Sequence, residues 1–394
     1  MNKMKIGIYT NTYLTISMTF IYRQLKYLKR FDPIMMAENL DNLDIFPFEK
    51  IYSPNKGKKK EIYSILYSKL YSKIYRKIKK TYVYINKKDI DYFCKIIRKN
   101  KLALIHSHFG PNGIKMLPVK QKFNIPLITT FHGYDASKLL HNKKYLRDLK
   151  ILFKHGDYFI AVSKSMREKL ISLGCPEIKI ITHYIGVPLE QFPFKQWTPP
   201  LSGDAFKFIQ VSNFVEKKGH IYTIKAFKEV HSEFPETILI FIGDGPLKKQ
   251  TEKLTHDLNL LDSVHFLGRK NEIEVSKLMH RTHAFVHHSV TSKEGDQEGI
   301  PTVIMEAMAV GLPIITTNHS GIPELVKYNK NGFLIEEKDI GGMASAMRKL
   351  LTNYDLAKNL SREGYNIVRQ DFNMKKQNRK LEQIYNYILK KEEI

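Results

Sequence analysis

What most constrains this chain is a recurring pair of patterns: a short apolar run, then a stretch in which apolar residues return every three or four positions. Lys5-Ile6-Gly7-Ile8-Tyr9 leads into Thr10-Asn11-Thr12, and from Ser17 onward Phe20, Ile21, Leu25 and Leu28 recur at helical spacing. The alternation returns in the runs 104–106, 126–130, 158–162 and 178–181, and again in 206–211, 238–242, 264–267, 284–286 and 313–316. Runs that are apolar on both faces belong in parallel sheets covered by helices on both sides. Between the two series, Thr198-Pro199-Pro200-Leu201-Ser202-Gly203 gathers turn formers without periodicity, which marks a linker. The expected architecture is α/β: two doubly wound sheets facing each other across a cleft, one domain over residues 1–197 and the other over 204–372. A length of 394 residues agrees, since domains run to roughly 100–200 residues each.

Composition removes several alternatives. Hydrophobic residues make up 43% and charged residues 26% of the chain, which suits a packed protein and not a disordered or fibrous one. Cys94 and Cys175 stand far apart, with no second Cys or Cys-His pair at metal-binding spacing, so neither a disulfide framework nor a zinc site is expected. No apolar run reaches the ~20 residues that span a bilayer. The N-terminal stretch is broken by Thr10, Asn11 and Thr12, unlike a signal peptide, so the expected location is the cytoplasm. The net charge of +25 calls for an anionic partner or surface.

In an open α/β sheet, ligands gather beyond the carboxyl ends of the strands, and two opposed sheets would leave the cleft there. The distinctive loops of this chain, at 132–135, 212–213, 243–246 and 268–269, all follow expected strands. Most informative is the segment 298–313. Pro301 suits the first turn of a helix, and Gly311 suits the left-handed residue that ends one. Val303, Ile304, Met305, Ala307, Met308, Ala309 and Val310 are apolar around the whole circumference, so the helix is expected to be buried, with Glu306 inside it. A buried carboxylate must be met by a cation, a backbone end or the hydroxyls of a ligand. Glu298 stands just ahead of the helix, where the dipole favours an anion and where it can also point into a cleft.

Two glutamates seven residues apart around such a helix, with its Gly311-Leu312-Pro313 ending, resemble the signature of the retaining glycosyltransferases of family 4, which have the GT-B fold of two Rossmann-like domains. The resemblance implies that Glu298 approaches the donor sugar and that Glu306 holds the ribose diol of the nucleotide. Gly299, Ile300, Pro301 and Thr302, between them, are expected to bind the donor as well. Ser212-Asn213-Phe214-Val215-Glu216-Lys217-Lys218-Gly219 resembles the family's phosphate loop, with Lys218 retained and Asn213 standing where the family has an arginine. That leaves the diphosphate to Lys218, to backbone N–H groups and to Lys217 or Arg269. Ile242-Gly243-Asp244-Gly245-Pro246 resembles the family's Gly-acid-Gly-Pro turn, and Phe266-Leu267-Gly268-Arg269 its base-contacting loop, in which glycine lets the backbone approach a nucleobase. The stretch 318–325 resembles the loop that closes over the donor.

In the first domain, His132 in Phe131-His132-Gly133-Tyr134-Asp135 follows a strand and resembles the donor-contacting histidine of polysaccharide-forming members. His106-Ser107-His108-Phe109-Gly110 is similar to another element of that branch. We expect His106 and His108 to diverge across the strand, so that one of them reaches the cleft and a metal pair is not formed. Ser17 and Thr19 resemble part of a Ser-Glu-Thr-Phe element, with Met18 in place of the acid, and are expected on the acceptor side or as helix caps.

From Glu49 to Lys101 there are seventeen Lys and Arg against four Asp and Glu, an excess of 13. Lys69, Lys73, Lys77 and Lys80 fall at spacings of three and four, Leu66, Leu70, Ile74 and Ile78 line another side, and Tyr63, Tyr67, Tyr71 and Tyr75 lie between. Such a helix suits an anionic membrane surface. It equally suits a helix that packs its Leu/Ile face on the first domain. Nucleic acid is not expected as the partner, because no zinc-finger spacing, RNP-like strand or basic helix-turn-helix is present.

Taken together, the residues and the resemblance predict a retaining, metal-independent glycosyltransferase, with Glu298, Lys218 and His132 at the reacting centre. It would move a sugar from a nucleotide-diphosphate sugar, preferably a UDP-sugar, to a glycan or lipid-linked glycan of a bacterial surface polysaccharide, at the inner face of the membrane. No cofactor beyond that donor is called for. The first domain would hold the acceptor and the second the nucleotide, and a last helix over about 374–390 would cross back to the first, as in the fold it resembles. A nucleotide-sugar epimerase on the same fold is the catalytic alternative, and a non-catalytic basic protein binding membrane or nucleic acid is the other.

Overall fold

A computed structural model describes residues 3–56 and 62–392, without the side chains of 62–69 and 392. The chain forms two compact units: the first runs to Tyr184 and takes in the segment from Gln377, and the second is Ile185–Lys376.

The first unit is built on β1 (Met4–Thr12), β2 (Phe31–Asn39), β3 (Ile51–Tyr52), β4 (Ile105–His108), β5 (Leu127–Phe131), β6 (Tyr158–Ala161) and β7 (Ile180–Thr182). All seven are parallel, in the order β3-β2-β1-β4-β5-β6-β7. Neither β2 nor β3 is among the runs singled out in the sequence, although β2 holds the apolar stretch Ile34-Met35-Met36-Ala37. β2 opens with Phe31-Asp32-Pro33, and a proline cannot donate to a ladder. It is tolerated because β3 pairs only with Met35 and Met36, which leaves one side of Pro33 open. Helices cover both faces: Ile6, Ile8, Leu104 and Ile128 are buried on one, and Tyr9, Ile105 and Leu127, which alternate with them, on the other. Leu381, Tyr385 and Ile388, from the helix Met374–Glu392, are buried in the same core.

The second unit repeats the plan with β8 (Phe206–Val211), β9 (Thr237–Ile242), β10 (Val264–Phe266), β11 (Ala284–His287), β12 (Ile314–Thr317) and β13 (Phe333–Ile335). They are all parallel, in the order β10-β9-β8-β11-β12-β13. β13 is not among the runs singled out in the sequence either. Each sheet is a Rossmann-like doubly wound sheet whose strand order reverses at its first strand, between β1 and β4 and between β8 and β11.

The turn formers 198–203 do not separate the units, because the chain before them is already attached to the second one. Lys195 N–H donates to Val310 O at 3.1 Å. The Trp197 indole N–H donates to His283 O at 2.7 Å, and the ring lies in the core beside Phe206 and Phe208. Val187 N–H meets Phe372 O at 2.8 Å, and Met374 N–H meets Val187 O at 2.9 Å.

Candidate functional site

In the second unit, the loops after β8, β9, β10, β11 and β12 are bound to one another. β8 ends in a loop and a single 3-10 turn, Glu216–Lys218, and Gly219 then starts the helix His220–Glu233 with φ at +59°. A Cβ there would sit 1.9 Å from His288 O, so only glycine lets this helix begin against the segment that leaves β11. No side chain caps that helix, so its first N–H groups form an anion-attracting end. Buried Gln210 pins the turn from below: its Nε2 donates to Lys218 O at 2.8 Å, and its Oε1 accepts from Thr223 Oγ1 at 2.8 Å.

Two of the expected residues meet here. Lys218 Nζ lies 2.6 Å from Glu298 Oε1, with 14% and 10% of the two side chains exposed. Burial alone would raise the Glu298 carboxyl, but Lys218 and Lys217 more than offset it and hold the group at about 2. Lys217 pairs in turn with Asp296 at 3.1 Å. The backbone of Glu298 is held on both sides. Its N–H donates to His319 Nε2 at 3.1 Å, and its C=O accepts from Ser320 Oγ at 2.8 Å. Because His319 Nε2 accepts, the proton of this ring is on Nδ1, which donates to Glu337 Oε1 at 2.5 Å. Glu337 also takes the N–H of Thr291 at 2.8 Å and its hydroxyl at 3.2 Å. The loops after β11, β12 and β13 thus converge on one carboxylate that the sequence does not advertise.

Beneath them, His287 is wholly buried, and neither of its ring nitrogens has a partner among the described residues. Burial, with Lys218 nearby, holds it neutral. His220 is likewise held down to about 3 by burial and Lys218; it stacks on Phe214 with centroids 4.0 Å apart, and its Nε2 lies 3.0 Å from Ser212 Oγ.

The glycine turn after β9 is drawn in tightly. Gly243 has φ +137°, its N–H donates to Gly268 O at 2.9 Å, and a Cβ on it would lie 2.0 Å from Ser212 O. Gly245 has φ +157°, and a Cβ on it would lie 2.7 Å from Phe214 O. Gly268, with φ +67°, has open space around the position of a Cβ. Asn213 and Arg269 are exposed, and Arg269 Nε stands 3.9 Å from Asp244, too far for a strong pair in solvent. Gly299, Ile300 and Pro301 are buried, and Gly299 O accepts from Gly321 N–H at 3.3 Å. Pro301 is the residue before the helix Thr302–Val310 and not its first turn, while Gly311 ends it with φ +92°. Ile304 to Val310 are all buried, Glu306 at 8% exposure.

In the first unit the histidines do not diverge. Side chains alternate along a strand with a period of two, so His106 and His108 share a face, and their rings stack with centroids 4.5 Å apart. His106 lies 2.6 Å from both Tyr385 Oη and Thr130 Oγ1. His108 Nδ1 lies 3.0 Å from His132 Nε2, and the His132 ring packs against Phe20 and Phe109. His108 Nε2 and His132 Nδ1 have no partner among the described residues. Burial holds His106 and His108 neutral and brings His132 down to about 3. Asp135 shapes the turn that carries His132. Its carboxylate accepts from the N–H groups of Gly110 at 2.8 Å, His132 at 3.0 Å and Gly133 at 3.3 Å, and burial raises it to about 6 against those bonds. Ser17 is exposed and shares a hydrogen bond with Thr15, and the helix Thr19–Tyr27 starts without a side-chain cap.

The chain is similar to known proteins along most of its length. The family model described as "Glycosyl transferases group 1" matches residues 191–367, and the one described as "Glycosyltransferase Family 4" matches residues 52–191. The chain is 32% identical over 278 residues to WcaL of Salmonella typhimurium, a protein assigned to colanic acid biosynthesis as a glycosyltransferase, covering 70% of this chain and 68% of that one. It is 33% identical over 254 residues to the amylovoran biosynthesis glycosyltransferase AmsK of Erwinia amylovora, covering 62% and 60%. Among solved structures, Anabaena Alr3699/HepE in complex with UDP shares the fold, with a TM-score of 0.76 over 98% of this chain and all of that one at 17% identity.

Proposed function

Because this chain belongs to the group 1 glycosyl transferases, we propose that it moves a sugar, with retention at the anomeric carbon and without a metal, from a UDP-sugar to a glycan or lipid-linked glycan in the synthesis of a bacterial surface polysaccharide. The observation that carries this reading is the Lys218–Glu298 pair at 2.6 Å beside the uncapped start of the helix His220–Glu233. Lys218 and that helix end take the diphosphate as it leaves, where preorganised positive charge is worth most. Glu298, ionised beside two lysines, orients the donor sugar through its hydroxyls. Glu306 binds the ribose diol, and the turns at Gly243, Gly245 and Gly268 with Arg269 and Asn213 receive the nucleotide, backed by the backbone of 299–302. The acceptor oxygen bonds to the anomeric carbon as the carbon–oxygen bond to the diphosphate breaks, and the acceptor's proton passes to a diphosphate oxygen, so no side-chain base is required. The family resemblance assigns donor contact to His132 and acceptor binding to the first unit. The relatives named for colanic acid and amylovoran synthesis support the polysaccharide product, and the UDP bound by Alr3699/HepE supports the base.

Calorimetry with UDP and turnover with a panel of UDP-sugars test this. Glu306→Ala is expected to weaken UDP at least about tenfold, the worth of one charge-assisted hydrogen bond to a diol. Glu298→Ala is expected to leave UDP affinity nearly unchanged and to lower turnover about a hundredfold. Equal UDP affinity in the wild type and Glu306→Ala rejects the assignment. An inverted anomeric centre in the product, read by NMR coupling, rejects retention.

A further inference from the structure

The positive charge concentrated between residues 49 and 101 has a shape that the proposed catalytic site does not use. In the helix Ile62–Ile78, Leu70, Ile74 and Ile78 stand at i, i+4 and i+8 on one face, 58%, 48% and 70% exposed. The first unit is gripped by a different face: Tyr71 and Tyr75 pack on Tyr84, with centroids 5.8 and 4.8 Å apart. The Leu/Ile stripe therefore does not pack on the sheet domain, which is what a purely structural helix would need. Tyr63, Leu66, Tyr67 and Lys69 lie outside the described side chains. Lys73, Arg76 and Lys77 continue around the helix from the stripe, and Lys79 and Lys80 follow it, all exposed.

A second helix enlarges the surface. In Lys143–His155, Lys143, Arg147, Lys150 and Lys154 recur at i, i+4, i+7 and i+11 on one exposed face, with Ile151 exposed beside them. The two helices are tied together, because Lys144 Nζ donates to Arg76 O at 3.2 Å and Arg147 Nη2 donates to Lys79 O at 3.3 Å. The single acid of the second helix, Asp148, is buried and turned inward onto the Thr81 hydroxyl at 2.5 Å and the Tyr82 N–H at 2.6 Å. Neither helix shows an exposed carboxylate, and residues 62–82 contain no Asp or Glu at all.

We propose that this two-helix face docks on an anionic lipid bilayer. A polyphosphate chain would engage the lysines but offers nothing to a stripe of Leu70, Ile74 and Ile78. A bilayer interface takes both, the stripe among the acyl boundary and the lysines among the headgroups. No helix among the described residues is long and apolar enough to cross a membrane, so the contact is made at the surface. The inference stands on the surface itself and holds whether or not the sugar-transfer reading does.

Flotation of the full chain with vesicles tests it, comparing pure phosphatidylcholine with a mixture holding about 30% phosphatidylglycerol at roughly physiological salt. Binding is expected on the anionic vesicles alone and is expected to fall as salt is raised. Removing Lys73, Lys77 and Lys150 as glutamines should weaken it on the order of a hundredfold, at about fivefold per charge. The variant Leu70→Ser/Ile74→Ser/Ile78→Ser should lose about tenfold or more with the charge intact. These positions are exposed, and an unchanged melting curve by circular dichroism confirms the fold of each variant. Equal partition onto neutral vesicles, or serine-variant binding equal to wild type, overturns the proposal. So does retention on duplex DNA tighter than on vesicles and unaffected by the serines, which would identify a nucleic-acid surface.

Discussion

Replacing Lys218 with methionine isolates the pair on which the donor reading rests. Glu298 is held at about 2, against an ordinary value of 4.5. At ~1.4 kcal/mol per pH unit, that displacement is about 3 kcal/mol of stability at neutral pH. A group whose folded value is depressed contributes above its unfolded value, so this term is complete above pH 4.5 and is lost as pH falls toward 2. Without Lys218 the burial that opposes ionisation remains, with Lys217 left to offset it, and the carboxyl moves up. Lys218→Met should therefore cost about 3–5 kcal/mol at pH 7, as breaking a buried pair does. Lys218→Met/Glu298→Gln should recover most of it, because a neutral amide needs no cation. Trp197, the one tryptophan of the chain, lies in the core of the second unit at 6% exposure, so its fluorescence in a urea titration reads the unfolding of that unit. A loss below about 1 kcal/mol in the single variant, or simple additivity in the double, would show that the pair is open to solvent and that Lys218 is not confined by Glu298.

Three further outcomes follow from the same geometry. His220, His283 and His288 of the second unit are kept at about 3, 4 and 4 by burial, and His287 is held well below its ordinary value, so just below pH 6.5 the unfolded chain binds protons the folded chain refuses. The Trp197-monitored stability should fall by about 4 kcal/mol from pH 6.5 to 5.5, about 1 kcal/mol for each of the four histidines, and a midpoint unchanged over that range would contradict their neutral state. His319→Ala removes the acceptor of the Glu298 N–H and the donor to Glu337, so kcat should drop tenfold or more with the donor KM changed less than about threefold, while a loss confined to KM would deny it a positioning role. Gly219→Ala places a Cβ 1.9 Å from His288 O at φ +59° and should destabilise the second unit by more than about 2 kcal/mol. Gly268→Ala, with open space at φ +67°, should cost about 1 kcal/mol, and equal losses in urea titrations would show that the loops are not packed as described.

Much of the fold was legible because burial on both faces makes a parallel strand apolar throughout. Nine of the thirteen strands stand where apolar runs predict them, and β7 begins within the last of the first series. The three strands that escaped are β2, whose apolar stretch follows an acid and a proline, the two-residue β3, and β13, which lies just past the turn 329–332. The pairing of His106 with His108 was misjudged because alternation along a strand returns every second side chain to the same face. Lys218 and Glu298 could be picked out singly, since each stands in a distinctive local pattern. Glu337 could not, because nothing around Ile335-Glu336-Glu337-Lys338 separates a residue that braces His319 from a solvated pair of acids.

Sequence alone determined that this chain builds two doubly wound sheets, that a greasy helix encloses a glutamate, and that positive charge collects between residues 49 and 101. Those are consequences of local period and composition, which act within a few turns of chain. The structure decided what lies eighty residues apart and yet 2.6 Å away, Lys218 against Glu298, and which face of the helix Ile62–Ile78 is left outward. Both depend on how strands are ordered and on which of two apolar faces meets a partner. A linear pattern carries neither, since it records which residues can be buried and not what they are buried against.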